Sequence, residues 1–150
     1  MNKRFFNLQR VTLKWALGWS DGAGIAPTVK APVGDEGYDF AYIHVEAPDE
    51  MGHQGSVERK IKAVENLDEK VIKTVVEGLK NNGEDFRLVI TPDHPTPIRV
   101  RTHVSTPVPY MLYDSTDELD RTWKYNETDA ANSKNYIANG YNLIDKLFEK

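Results

Sequence analysis

The stretch YDFAYIHVEAPDEMGHQG, residues 38–55, decides how the chain is read. Its first part, DFAYIHVEA, places apolar residues between Gly37 and Pro48 in the pattern of a buried strand. Its second part sets Asp49 four residues before His53, so one turn of helix would bring both side chains to the same side. Ser56 then suits the cap of a helix whose apolar positions Val57, Ile61, Val64, Leu67, Val71, Val75 and Leu79 recur at helical spacing. That helix is expected to end near Asn82-Gly83. DFRLVIT, residues 85–91, is a short apolar run stopped by Pro92. Strand, long helix and strand in this order predict a βαβ unit, and so an α/β fold with a partial parallel sheet flanked by helices.

Working outward, TPDHPTPIRVRTHVSTPVP, residues 91–109, cannot be helical, because Pro92, Pro95, Pro97, Pro107 and Pro109 each break or bias the backbone. A structured loop with a brief strand at Ile98–Arg101 is expected there. VPYMLYD, residues 108–114, predicts a third strand, and the chain closes with a helix carrying Ile137, Tyr141, Ile144 and Phe148 on one face. Upstream of Tyr38 the pattern is poor. VTLKWALGW is apolar, and SDGAGIAPTVKAPVGDEG then gathers Gly and Pro as a loop does. The chain therefore divides into residues 1–37, without firm structure, and residues 38–150, which carry the domain.

With 150 residues, 39% hydrophobic and 28% charged, one soluble globular domain is the expectation. The net charge of −4 offers no broad attraction to nucleic acid or to an anionic membrane, and neither is expected as a partner. There is no cysteine, so disulfides and thiolate metal sites are excluded. The basic start MNKRFFNLQRVTLKWALGW is interrupted by Lys14 and Gly18 and lacks the apolar core of a signal peptide, which predicts a cytoplasmic protein.

All four histidines lie between residues 44 and 103. In open α/β sheets, loops after neighbouring strands converge outside the strands' carboxyl ends. Asp49 and His53 follow the first predicted strand, Asp93 and His94 follow the second, and His103 precedes the third. Imidazole and carboxylate groups together suit Mn²⁺, Zn²⁺ or Fe²⁺, and five such groups exceed what one catalytic ion takes from a protein, so two ions are implied. Each pair also has a plainer reading. Asp49 and His53 can form a solvated helical turn with the acid near the positive helix end, and Asp93 can satisfy backbone N–H groups in a turn. His44 fits a hydrogen-bonded core histidine, whereas Glu46, at the strand's end, can orient a ligand from behind. Arg99 and Arg101 alternate with Ile98 and Val100, so on an extended segment both would point one way, either gripping a phosphate or guarding a sheet edge. The SDGAG turn at residues 20–24 could be an anion nest but has no strand before it.

YDFAYIHVEAPDEMGHQG, TPDHPTPIRVRTHVSTPVPYMLYD and NSKNYIANGYNLIDKLF together resemble the C-terminal part of the archaeal-type cofactor-independent phosphoglycerate mutases, within the alkaline phosphatase superfamily. The resemblance runs from about Tyr38 to the end, with the D-x-x-x-H, D-H and later H elements in the family's order. It implies an alkaline-phosphatase-like metalloenzyme core that interconverts 3-phosphoglycerate and 2-phosphoglycerate in glycolysis, an isomerase working through a phosphoserine. It further implies that Asp49, His53 and His103 hold one divalent ion and Asp93 with His94 the other, Mn²⁺ first, with Zn²⁺ or Mg²⁺ as alternatives. In the family the serine nucleophile and a further aspartate lie in a preceding half, whereas residues 1–37 do not align with it, and Asp21-Gly22 only superficially matches its first motif. No nucleophile is identified, and the chain alone is expected to be inactive without its missing N-terminal half. The alternatives are another phosphomutase or phosphohydrolase of the superfamily, or a non-catalytic metal-binding module. A small phosphorylated substrate is implied, and an exposed sheet edge predicts a homo-oligomer.

Overall fold

The structure, a computed structural model, describes residues 40–83, 85–117 and 123–149. The VTLKWALGW stretch, the SDGAG turn and Tyr38 lie outside the described residues. Two units are distinguished by their packing. The first combines the residues before Asp85 with Thr96–Thr102, and the second combines Asp85–Pro95 with the residues from His103 onward.

In the first unit, α1 spans Ala47–Gln54, with Pro48 in its opening turn and Asp49 and Glu50 beside the helix's positive end. It stops at Gly55, whose φ of +70° is the left-handed conformation that glycine adopts without a Cβ penalty. The Ser56 N–H then returns to the Met51 carbonyl at 3.3 Å and closes the turn. Ser56 caps the next helix as expected, its hydroxyl accepting from the Arg59 N–H at 3.4 Å. That helix runs as α2 (Val57–Asn66), a π-helical segment (Leu67–Ile72) and α3 (Lys73–Asn81), ending before Gly83 at φ +70°.

Its length was legible, and its buried face was legible in the second half, at Val71 and Leu79, but not in the first. The residues turned inward are Ala63, Val71 and Leu79, whereas Val57, Ile61 and Val64 are 58, 56 and 50% exposed. A π segment takes more residues per turn than an α-helix, so a stripe drawn at a constant helical period does not stay on one side. Among the described residues, Ala47, Met51 and Ala63 form a buried cluster in this unit, with Val45 packed against them.

Two expectations about the sheet are corrected. Residues 40–46 do not form the predicted strand; a single bridge residue at Phe40 is followed by irregular backbone up to α1. Apolar alternation produces a strand only where a neighbour supplies a ladder. In the second unit, β1 (Arg87–Ile90) and β2 (Met111–Asp114) pair antiparallel, not parallel, with Arg87 opposite Asp114 and Ile90 opposite Met111. A parallel pair needs a crossover, usually a helix, and the proline-rich link between these strands contains none.

The Arg87 guanidinium meets Asp114 at 2.5 Å across the pair, and Phe86 lies against Tyr113 with ring centroids 5.6 Å apart. The expected brief strand at Ile98–Arg101 is instead a turn, with the Val100 and Arg101 N–H groups both donating to the Pro97 carbonyl at 2.9 Å. The long closing helix is also shorter than expected. A 3-10 turn at Gly140–Asn142 leads into α5 (Leu143–Phe148), after α4 at Glu127–Asn132, and Ile137 falls before both. Among the described residues, no helix is long and apolar enough to cross a membrane.

Candidate metal centre

Helical spacing does what it promised for Asp49 and His53. Both lie on α1, and Asp49 Oδ2 stands 3.4 Å from His53 Nε2. The other ring nitrogen, Nδ1, lies 3.0 Å from the backbone carbonyl of Arg101. A carbonyl can only accept, so Nδ1 carries the proton and donates it. In the neutral ring this leaves the Nε2 lone pair pointing at a carboxylate oxygen. Two lone pairs facing each other are repulsive unless a proton or a cation lies between them. Two ligand atoms each about 2.1 Å from a tetrahedral ion stand about 3.4 Å apart. A histidine that gives its far N–H to a carbonyl is the arrangement by which proteins orient metal-ligating imidazoles. The donor set and its spacing therefore fit a divalent ion.

Arg101 reaches this position through a φ of +58°, a conformation uncommon outside glycine. Its guanidinium occupies the space where a side chain at Gly55 would project. Arg101 and Arg99 consequently do not share one face of an extended strand; Arg99 sits within the turn and Arg101 at its exit. Thr96, missed in the sequence, is the buried polar residue among the described residues of this unit, at 4% exposure. Its hydroxyl donates to Asp49 Oδ1, and its carbonyl accepts from the Lys60 ammonium at 2.6 Å. Gly52 was the available signal. A glycine inside a helix costs about 1 kcal/mol against alanine and implies a close approach. A Cβ there would lie 2.5 Å from the Thr96 carbonyl oxygen.

The second unit holds Asp93, His94 and His103. Asp93 Oδ1 accepts from the His94 N–H at 3.0 Å, which is the turn role, while Oδ2 lies 3.4 Å from His94 Nε2. The rings of His94 and His103 stack with centroids 3.6 Å apart and planes 29° apart, leaving nitrogen atoms at the ring edges. His103 belongs to this unit by packing, and it follows Arg101 by two residues along the chain. Glu46 is the residue before α1, and its carboxylate stands 3.9 Å from His44. His44 is half-buried, not a core residue, and its Nδ1 lies 3.4 Å from the Tyr42 hydroxyl.

The metalloenzyme superfamily matches the chain over residues 18–137. The chain belongs to that superfamily. Several curated relatives of this chain are named as phosphoglycerate mutases. A protein of Geobacter sulfurreducens, named probable 2,3-bisphosphoglycerate-independent phosphoglycerate mutase, is 38% identical over 77% of this chain and 29% of its own length. Proteins named 2,3-bisphosphoglycerate-independent phosphoglycerate mutase from Methanothrix thermoacetophila and Metallosphaera sedula are 42 and 33% identical, over 73 and 93% of this chain. The match covers 28 and 33% of those two, so the chain spans about a third or less of the relatives it resembles. No solved structure matches.

Proposed function

We propose that this chain is the metal-binding C-terminal part of a cofactor-independent phosphoglycerate mutase that interconverts 3-phosphoglycerate and 2-phosphoglycerate. The observation that carries the reading is the shared name of relatives 33 to 42% identical over most of the chain. The partial cover of those relatives supports a further region that supplies the nucleophile.

Asp49, His53 and His103 hold one divalent ion and Asp93 with His94 contributes to the second, with Mn²⁺ the first choice. His53 donates through Nδ1 to the Arg101 carbonyl and thereby turns Nε2 towards Asp49 as the coordinating atom. Asp49 offers Oδ2 beside it. Bound ions at such a centre neutralise phosphoryl oxygens and lower the pKa of the attacking hydroxyl. Arg99 and Arg101 supply positive charge for the phosphate, and Glu46 orients a ligand from behind the site. The parallel sheet of an alkaline-phosphatase-like core would form only in the whole domain, with residues 40–46 gaining their ladder partners from the missing region.

The test is a 3-phosphoglycerate conversion assay on the chain alone and on the chain fused to the remaining two thirds of the Geobacter relative. The expected result is no turnover alone and turnover in the fusion, abolished by Asp49→Ala. Turnover by the isolated chain contradicts the incomplete reading. A fusion that cleaves phosphate esters without isomerising 3-phosphoglycerate assigns the chain to a phosphohydrolase instead.

The exposed row Val57, Ile61 and Val64 supports association of the isolated chain. Sedimentation velocity should find dimers or larger species, and a clean monomer contradicts this.

A further inference from the structure

Thr96 has no role in the function proposed so far, yet it is the buried polar side chain among the described residues of the first unit and touches α1 and α2. It sits between Pro95 and Pro97, which fix its backbone outside any helix. Three contacts lock it in place. The Lys60 ammonium, on α2, takes its carbonyl at 2.6 Å; Gly52, on α1, admits that carbonyl because it has no Cβ; and its hydroxyl donates to Asp49 Oδ1. The carboxylate of Asp49 therefore has one oxygen committed to Thr96 while the other stands 3.4 Å from His53 Nε2.

We propose that Thr96 is a positioning residue: its hydroxyl takes one oxygen of Asp49 and so presents the other, Oδ2, to the ion shared with His53. This role rests on the metal-site reading above. The hydroxyl acts by fixing the rotation of the carboxylate, which removes the cost of orienting it when the ion arrives and disfavours two-oxygen coordination by Asp49. Loss of an outer hydrogen bond of this kind lowers metal affinity by about 10- to 100-fold.

Two substitutions separate positioning from packing, since Thr96→Val keeps the methyl group near Gly52 and loses the hydroxyl, whereas Thr96→Ser does the reverse. Mn²⁺ titration calorimetry on the full chain and both variants is the experiment, with circular dichroism to establish folding. Positioning predicts that Thr96→Val weakens Mn²⁺ binding about 10-fold or more while Thr96→Ser stays close to the unaltered chain. Unchanged affinity in a folded Thr96→Val variant overturns the role and leaves the metal site standing. A Thr96→Ser loss as large as that of Thr96→Val also overturns it, because the site then responds to the methyl group. Should Thr96→Val fail to fold, Thr96→Ser decides: retained affinity supports the role and lost affinity defeats it. Absence of Mn²⁺ binding by the unaltered chain defeats the metal reading and this role together.

Discussion

The two histidine-acid pairs of this chain are built differently. Asp49 and His53 lie on one face of α1, and each has its second polar atom held by the Thr96–Thr102 segment. Asp93 and His94 are adjacent in sequence on a bend, where Asp93 takes the His94 N–H and the His94 ring stacks on that of His103. Asp93 is 63% exposed, against 34% for Asp49. The first pair is held by a segment outside its own helix and its carboxylate is less exposed, so the first should bind an ion more tightly than the second.

The sharpest way to break this contrast is to delete one member of each pair. His53→Ala should abolish the tighter Mn²⁺ site, whereas His94→Ala should leave it within about tenfold, the lower end of what outer contacts contribute. Equal losses in calorimetric titrations would mean that the two pairs are not distinct in quality. Next in size is Gly52→Ala. Its Cβ would meet the Thr96 carbonyl at 2.5 Å, and the backbone must shift. Overpacking of this kind costs about 1 to 3 kcal/mol, and denaturant unfolding should register it together with weaker Mn²⁺ binding. An unperturbed variant would show that the segment is not seated on α1 as described.

Ser56→Ala removes the cap that starts α2 and should cost about 1 kcal/mol in the same unfolding experiment. It acts on the helix start and not on the ligands, so a large change in Mn²⁺ affinity would contradict the division between scaffold and site.

The smallest effect belongs to the second unit. The Thr116 hydroxyl, and then Arg87, hold the Asp114 carboxyl down at about 2, against an ordinary 3.8. Because the folded value lies below the unfolded one, the stabilisation is complete above about pH 4 and is lost as pH falls towards about 2. Thermal unfolding midpoints followed down that range should fall less steeply in Asp114→Asn than in the unaltered chain. Identical slopes would remove Asp114 as a contributor.

How much was legible follows from what sets each feature. The α1 pair depends only on helical periodicity, and the Ser56 cap and Gly83 stop depend on local chemistry, so all three could be read from residues alone. The direction of strand pairing depends on chain sections far apart in sequence, and alternation in YDFAYIHV carries no information about whether a ladder partner is present. The stripe from Val57 to Leu79 assumed one helical period, which the π segment at Leu67–Ile72 breaks. Arg99 and Arg101 were placed by strand alternation, and the Pro97 turn undoes it. Thr96 was hidden because its importance comes from Lys60 and Asp49, 36 and 47 residues away in the chain.

The central claim is that Asp49 and His53 are a ready ligand pair for a divalent ion. Mn²⁺ titration calorimetry of the 150-residue chain tests it directly, with His53→Ala as the control. The account predicts saturable binding of one or two ions per chain, with the tighter site lost in His53→Ala. No binding, or binding that is the same in the variant, would contradict it.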